Sequence, residues 1–320
     1  MAFSDSGAVL RADLRTLVEE AARADEMFIG LKVLPETPSD NKTGQYPKFR
    51  LAKGELLNDD AQVRQPGAGY NRIIRAYEND NLLCLDRGLE EVVDDTYKED
   101  VARYFAAEVK AAQFIRRQVQ IGHEVRVATA MQDTAVWNHT AAAVAYTEAN
   151  LATIKVIKDI TDAIGRCNDK GVIPNTIIMS KNVWLRTRRT ADVISYIRGS
   201  KSTDAAVLAN ASQFASIFVD DGIKQCLVGK FPKNTAKKGQ AYVAGSIWSD
   251  LEVWVGYVES GDPMSGGAGR TFFWNKEGGF LVPETYRSEE RRSDIVRVRQ
   301  NTVEKIIDAT AGELIDTSYA

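Results

Sequence analysis

An α+β fold organised around one long helix is what this 320-residue sequence predicts, on three observations. A single amphipathic stripe runs from residue 95 to about residue 130. Apolar strands alternate with helices between residues 148 and 257, the mark of an α/β unit. Strict apolar alternation then returns at Leu251, Val253, Val255 and Tyr257, and again across residues 295–299, which reads as sheet rather than helix.

Taken in order, residues 8–28 read as a helix: Val9, Leu10, Leu14, Leu17, Val18 and Ala21 recur at three- and four-residue spacing. Residues 35–81 differ in kind. Four of the eight prolines (Pro35, Pro38, Pro47, Pro66) fall here, among Asn, Asp, Gly, Gln and Lys. Phe49 with Leu51, and Ile73 with Tyr77, alternate as in a hairpin exposed on one face. The stretch has too little apolar area for a core of its own. A connection of this length is functional or disordered.

Thr96-Tyr97-Lys98-Glu99 has the form of a capping box. Behind it Tyr97, Val101, Tyr104, Phe105, Ala112, Ile115 and Val119 predict a helix from Asp95 to about Ala130, roughly 50 Å long, with Gly122 as a place to bend. A second amphipathic helix, Glu148 to Arg166, carries Leu151, Ile154, Ile157, Ile160 and Ile164, and Gly171 can end it. Ile173-Pro174-Asn175-Thr176-Ile177-Ile178-Met179-Ser180 reads as a buried strand entered through a proline, its serine capping the helix that carries Trp184. Short helices follow, with Thr190 and Thr203 as N-caps, then strands at Ile223 to Val228 and Ala241 to Trp248. A loop with Gly261, Gly266, Gly267 and Gly269 precedes Phe272-Phe273-Trp274. The chain closes with Val303, Ile306 and Ile307, then Gly312-Glu313-Leu314-Ile315.

A composition of 44% hydrophobic and 27% charged residues is that of an ordinary globular chain, long enough for two modest domains or one elaborate one. The apolar runs are too short for a membrane-spanning helix, and Met-Ala-Phe-Ser-Asp-Ser-Gly lacks the blocks of a signal peptide. Cys84, Cys167 and Cys226 form no Cys-x-x-Cys pair and read as buried free thiols. Lys plus Arg number 41 against 44 acidic residues, for a net charge of −3. That lacks the basic excess of a protein that tracks phosphates, and it suits side-by-side packing of many copies.

No constellation carries a reaction. His123-Glu124 is not followed by the second histidine of a zinc helix. Asp220-Asp221 reads as a turn, and Asp159 and Asp162 with Lys155 and Lys158 as a solvated helix face. The glycines at 261–269 lack the Gly-Lys-Ser/Thr of a phosphate loop, and no Gly-x-Ser-x-Gly elbow occurs. Catalytic, cofactor and metal residues are therefore expected to be none. Basic clusters remain: Arg186, Arg188 and Arg189 on one short helix, and Lys230, Lys233, Lys237 and Lys238 in one loop. Arg287 to Asp294 mixes both signs, which suits a contact between unlike patches.

The order of these pieces resembles the major capsid proteins of tailed bacteriophages with the HK97-type shell fold. It rests on Ile-Pro-Asn-Thr-Ile-Ile-Met-Ser at 173–180, Ser195-Tyr196-Ile197-Arg198-Gly199, Val228-Gly229-Lys230, and Asn234-Thr235-Ala236-Lys237-Lys238-Gly239-Gln240. The resemblance implies an N-terminal arm (1–34), an extended loop (35–85), a peripheral domain with the spine helix (86–147), an axial α/β domain (148–257) and a returning peripheral segment (258–320). It implies a subunit with no reaction and no cofactor. Hexamers and pentamers would close into an icosahedral shell around double-stranded DNA, which the subunit contacts non-specifically. Portal, scaffold and decoration proteins are the expected partners, with no membrane, and the location is the virion after assembly in the host cytoplasm. Intersubunit contacts are expected at Lys48, Arg50, Lys53, Arg64 and Arg72 in the loop, and at Arg186, Arg189, Lys237, Lys238, Arg291 and Arg292 elsewhere. Two other readings stay open: an encapsulin compartment of the same fold, and an α/β enzyme without a recognisable catalytic motif.

Overall fold

The computed structural model describes residues 9–48, 59, 61, 63–72, 78–97, 101–198, 208–237, 239–261 and 265–319. Its first part holds β1 (Val9–Leu10), α1 (Ala12–Ala24), α2 (Gly30–Val33), β2 (Glu36–Ser39), β3 (Thr43–Lys48), β4 (Glu78–Leu83), β5 (Leu85–Asp94) and α3 (Val101–Met131). The middle holds β6 (Asn138–Ala141), α4 (Val156–Asp169), β7 (Thr176–Ser180), α5 (Lys181–Thr187), α6 (Ala191–Arg198), α7 (Ala211–Ser216), β8 (Gln225–Gly229), β9 (Pro232–Asn234) and β10 (Ala244–Ser246). The last part holds β11 (Glu252–Gly256), β12 (Gly269–Trp274), β13 (Val282–Ser288), β14 (Ser293–Ile306) and β15 (Gly312–Asp316).

The long helix is α3, 31 residues or about 46 Å at 1.5 Å per residue, and it is continuous through Gly122. It starts later than the expected Asp95, because Asp95–Tyr97 form a 3-10 turn in which Asp94 accepts the Thr96 N–H at 2.9 Å. Glu99 of the expected capping box lies outside the described residues, as do the side chains of Tyr97, Val101, Tyr104 and Phe105. Farther along, Ala111, Ala112, Ile115 and Val119 pack with Leu14, Val18 and Ala22 of α1 and with Val296 and Val298 of β14. Val127, Ala128 and Met131 pack on a different sheet. One helix thus joins two sheets.

The first sheet has six strands. The long β14 takes β5 along one edge, Ser293↔Asp94 to Thr302↔Leu85, and β13 and then β12 along the other. Strand β2 adds to β12 and β1 to β13. Val9 and Leu10, expected in the helix, are instead a strand, paired with Thr285 and Glu284. An open edge of β13 outcompeted a helical turn. Strand β5 had no sequence signal. Its Asp, Glu and Gly residues are poor strand formers, and Gly88 lies so close to β14 that a Cβ would stand 2.8 Å from that of Arg299.

The second sheet runs β6-β15-β11-β7-β8. Both of its faces are covered. Ile177, Met179, Val253, Val255 and Ile315 meet the helices through Ile160, Ile164, Val183, Val193, Phe214 and Phe218. Ile178, Leu227, Trp254 and Leu314 meet the end of α3 along with Ile29, Val33, Trp137 and Trp248. Burial on both faces explains the unbroken apolar run Ile177-Ile178-Met179 in β7 and the Trp254 that stands between the alternating valines of β11. The Ser180 hydroxyl caps α5 as expected, accepting the Val183 N–H at 3.2 Å. Thr190 accepts the Val193 N–H at 3.5 Å, while Thr203 lies outside the described residues. The helix expected over 148–166 contracts to α4, and the strand expected over 241–248 contracts to β10.

Residues 258–320 were expected to return together beside the spine helix. They divide. β12, β13 and β14 join the six-stranded sheet, but β15 is inserted between β6 and β11 in the other one. Its alternation decides this: Leu314 enters one apolar layer and Ile315 the other. Just before them Glu313, fully buried on the side of α4, takes Arg166 at 3.3 Å, Lys170, and the Asn138 amide at 2.6 Å.

Candidate functional site

The extended loop leaves the body as the hairpin β3–β4, paired from Thr43↔Leu83 to Lys48↔Glu78. Its base is anchored. Tyr46, Leu82 and Cys84 are buried against Phe272 and Ile307, and the Tyr46 and Phe272 rings lie 4.7 Å apart. The Tyr46 hydroxyl donates to Asp80 at 3.4 Å, and Lys48 and Lys305 approach the same carboxylate at 3.5 and 4.0 Å. Partial burial alone would raise Asp80, yet the Asn81 N–H and both lysines hold its carboxyl below the ordinary range. Too poor in apolar residues for a core of its own, the stretch is at its base part of the body's core. Lys48 is bound within its own chain.

Farther out, residues 63–72 are exposed throughout. Arg64 lies over the Tyr70 ring at 5.0 Å and donates to the Ala68 carbonyl at 3.3 Å. Arg72 is exposed. Arg50 and Lys53 lie outside the described residues, as do Phe49, Leu51, Ile73 and Tyr77, whose alternation predicted a hairpin.

Arg186 was expected at a subunit contact and is instead buried, 9% exposed. It belongs to the inward face of α5, where it donates to the Tyr146 carbonyl at 2.5 Å and stacks 3.6 Å over the Tyr319 ring. Only a tertiary partner distinguishes it from Arg189, which stays half-exposed beside Glu148 and donates to the Leu185 carbonyl at 2.9 Å. Lys237 is exposed beyond β9, and Lys238 lies outside the described residues. Arg291 and Arg292 are exposed in the turn between β13 and β14, and Arg292 adopts φ +46°. The mixed charges around them are partly used internally: Arg287 pairs with Asp95 at 2.5 Å, Glu289 at 3.3 Å and Asp294 at 3.4 Å.

The polar groups that sequence reasoning weighed for chemistry serve packing. His123 is buried, 3.3 Å from the Thr271 hydroxyl and 3.7 Å from Glu304, and burial pushes it down to about 4 despite that carboxylate. Glu124, weighed in the sequence only as part of an incomplete zinc-helix motif, accepts the N–H groups of Ile29 (3.2 Å) and Gly30 (2.7 Å) and the Trp248 indole (2.7 Å). It ties three segments together, and burial pushes its carboxyl up. Its only sequence signal was a charge inside an apolar stripe.

The glycine-rich loop wraps the protein's own Arg270. That guanidinium is fully buried and donates to the carbonyls of Gly261 (3.3 Å), Gly266 (2.9 Å) and Gly269 (2.9 Å). A phosphate loop presents N–H groups; this one presents carbonyls. Asp159, expected on a solvated face, is buried and accepts the Tyr146 hydroxyl at 3.2 Å, whereas Lys158 and Asp162 do form a solvent-facing pair. Burial pushes Cys167 and Cys226 up to about 12. Among the described residues no three His, Cys, Asp or Glu side chains are grouped to hold a metal. No described helix is long and apolar enough to cross a membrane.

No protein-family model and no curated protein matches the sequence. Solved structures do. A phage-related protein from Bordetella bronchiseptica RB50 superposes with a TM-score of 0.72 at 19% identity, covering 97% of each chain. A virus-like particle from Pyrococcus furiosus gives 0.56 at 10% identity, over 95% of this chain and 98% of that one. A prophage protein of E. coli CFT073, assigned as a capsid protein, gives 0.54 at 10% identity over 97% and 99%. This is the HK97-type shell fold.

Proposed function

We propose that this chain is the major capsid protein of a tailed phage. In this reading its hexamers and pentamers close into an icosahedral shell that packages double-stranded DNA. The single observation that carries the reading is the whole-chain match to a phage-related protein, 97% of both chains. An anchored hairpin whose distal residues 63–72 are all exposed supports it, because such an arm gains burial only against another copy. The subunit is a wall element without a reaction. Its place is the virion, reached from the host cytoplasm, with portal, scaffold and decoration proteins as partners. With a net charge of −3, contact with the packaged DNA is weak, sequence-independent and lost at modest salt. Of the charges expected to meet a neighbour, Arg64, Arg72, Arg189, Lys237, Arg291 and Arg292 keep that role, with Arg50, Lys53 and Lys238.

The test is assembly. Expressed alone or with its scaffold, the protein forms rings, shells or tubes in negative-stain micrographs. A monomer at every concentration, with every partner tried, overturns the proposal.

A further inference from the structure

Strand β8 is an edge of the five-stranded sheet and runs parallel to β7. Beyond the carboxyl ends of these strands, where parallel sheets tend to receive ligands, lies an open cavity of about 190 Å³. Lys181, Asn182, Lys230, Phe231, Pro232 and Ser246 line it, and no carboxylate does. Both lysines directly follow a strand, so the sheet sets their position. Ser180 and Asn182 both donate to Asp250, the latter at 2.9 Å, which fixes the chain on either side of Lys181. Gly229 passes so close to Trp248 that a Cβ would stand 2.1 Å from its ring, and Phe231 stacks on Phe28 at 4.7 Å. Lys230 is held between them. Both lysines are exposed, and neither has a carboxylate partner among the described residues.

The opposite end of the same strand pair carries complementary chemistry. Val219-Asp220-Asp221-Gly222 forms the turn into β8, closed by the Asp221 N–H on Phe218 and the Gly222 N–H on Val219, both at 3.1 Å. Gly222 adopts φ +97°, and a Cβ there would stand 2.7 Å from Ile173. Val219 and Ile173, 61% and 67% exposed, form an apolar shoulder beside the two carboxylates. Neither Asp220 nor Asp221 is paired among the described residues, and Lys224 still leaves the patch net negative. Five residues of strand separate the two patches by roughly 17 Å, at opposite ends.

We propose that the cavity is a carboxylate site for the Asp220–Asp221 turn of a second copy of this chain. The contact is heterologous, cavity to turn, so each copy uses both patches and the series closes as a ring. The lysine–aspartate match supplies register, and Phe231 and Pro232 receive the apolar shoulder. A nucleic-acid backbone would use the lysines and leave those two side chains idle. The proposal rests on the shell reading only in requiring that copies meet side by side.

Charge exchange in the full chain tests it. One variant carries Lys181→Glu with Lys230→Glu, the other Asp220→Lys with Asp221→Lys. Circular dichroism checks that each folds, and sedimentation velocity is run where the wild type forms rings. Each variant alone associates about tenfold or more weakly than wild type, because like charges then face each other. An equimolar mixture recovers association in six-membered rings, where the two alternate with every contact matched, whereas a five-membered ring keeps one mismatched contact. If the wild type assembles and the folded variants assemble equally well, or if mixing restores nothing, the site is overturned. Loss of low-salt retention on a short duplex by the lysine variant alone, without recovery on mixing, assigns the cavity to nucleic acid and equally overturns it. A wild type that stays monomeric throughout removes the shell reading and this contact with it.

Discussion

The two sheets of this molecule are sealed differently. The five-stranded sheet has apolar layers on both faces, and every residue of β7 and β11 is buried. The six-stranded sheet has its main apolar layer beneath α3, and on the opposite face only a small apolar cluster where Phe272 and Ile307 meet the root of the hairpin. Otherwise that face carries an ionic lattice: Glu284 accepts Arg297 at 2.5 Å and Arg299 at 2.8 Å, Arg299 and Asn301 both reach Glu277, and the Tyr286 hydroxyl donates to Glu90 at 2.9 Å. Burial would raise Glu284, yet Arg299 and Arg297 hold its carboxyl below the ordinary range. Dispersion and water exclusion hold the five-stranded sheet regardless of salt. The six-stranded sheet pairs charges close to its surface, where each pair contributes little alone. One sheet is complete by itself, and the other presents a polar rim with an arm attached.

The largest effect belongs to the doubly sealed sheet. Phe214, fully buried against Trp184 and Phe218, costs about 3–5 kcal/mol when replaced by alanine, read by urea denaturation. Tyr46→Ala at the root of the arm follows at about 2–4 kcal/mol. Replacing residues 49–77 by a short Gly-Ser bridge changes subunit stability by about 1 kcal/mol or less while abolishing shells. Were that deletion to unfold the subunit, the arm would be part of the core, and the contrast between root and tip would fail.

The carboxylates sharpen the comparison further. Glu313→Ala strips two cations of a fully buried partner and costs about 2–3 kcal/mol, below the full value for a buried pair because Arg166 and Lys170 are 30% exposed. Glu284→Ala, on the ionic face, costs about 1–2 kcal/mol and loses part of that in high salt, since the carboxylate is buried while its arginines reach the surface. Thermal melts in low and high salt order the two, and the reverse order would break the contrast.

The smallest effect is on pH dependence. Burial, then Asp316, raises Glu252 from 4.5 to about 7. The native state keeps that proton after the unfolded chain has lost it, so this group's contribution falls as pH rises from about 4.5 to 7 and is level above. Glu252→Gln removes that decline. His123 has the opposite sign: lowered from 6.5 to about 4, it loses stability as pH falls through that window because the unfolded chain protonates first. Melting curves of wild type and Glu252→Gln from pH 5 to 8 separate the two slopes.

Local chemistry was legible wherever neighbours in sequence are also neighbours in space. The buried strand at 176–180, its serine cap, the stripe of α3, the end of α4 near Gly171 and the alternation at 252–256 all depend on contacts within a turn or along a strand. The root of the hairpin had no signal of its own in the sequence, since Tyr46 faces inward only because Phe272 waits there. Arg186, in α5, and Arg189, just past its end, are indistinguishable as sequence, three residues apart. Tyr146 and Tyr319, distant along the chain, claim the first and leave the second at the surface.

By itself, then, the sequence determined which segments are helix or strand where periodicity is strong, that a long helix precedes an α/β unit, and that no catalytic motif is written in it. Tertiary structure alone decided the rest. It recruited the acidic segment 85–94 as a strand, because β14 offered ten residues of backbone partners that no local propensity encodes. It sent residues 312–316 into the second sheet, where a buried glutamate finds two cations. It turned some charges of each cluster inward and left others free. Propensity acts over a few residues, whereas strand pairing and charge burial depend on partners that only the folded chain brings together.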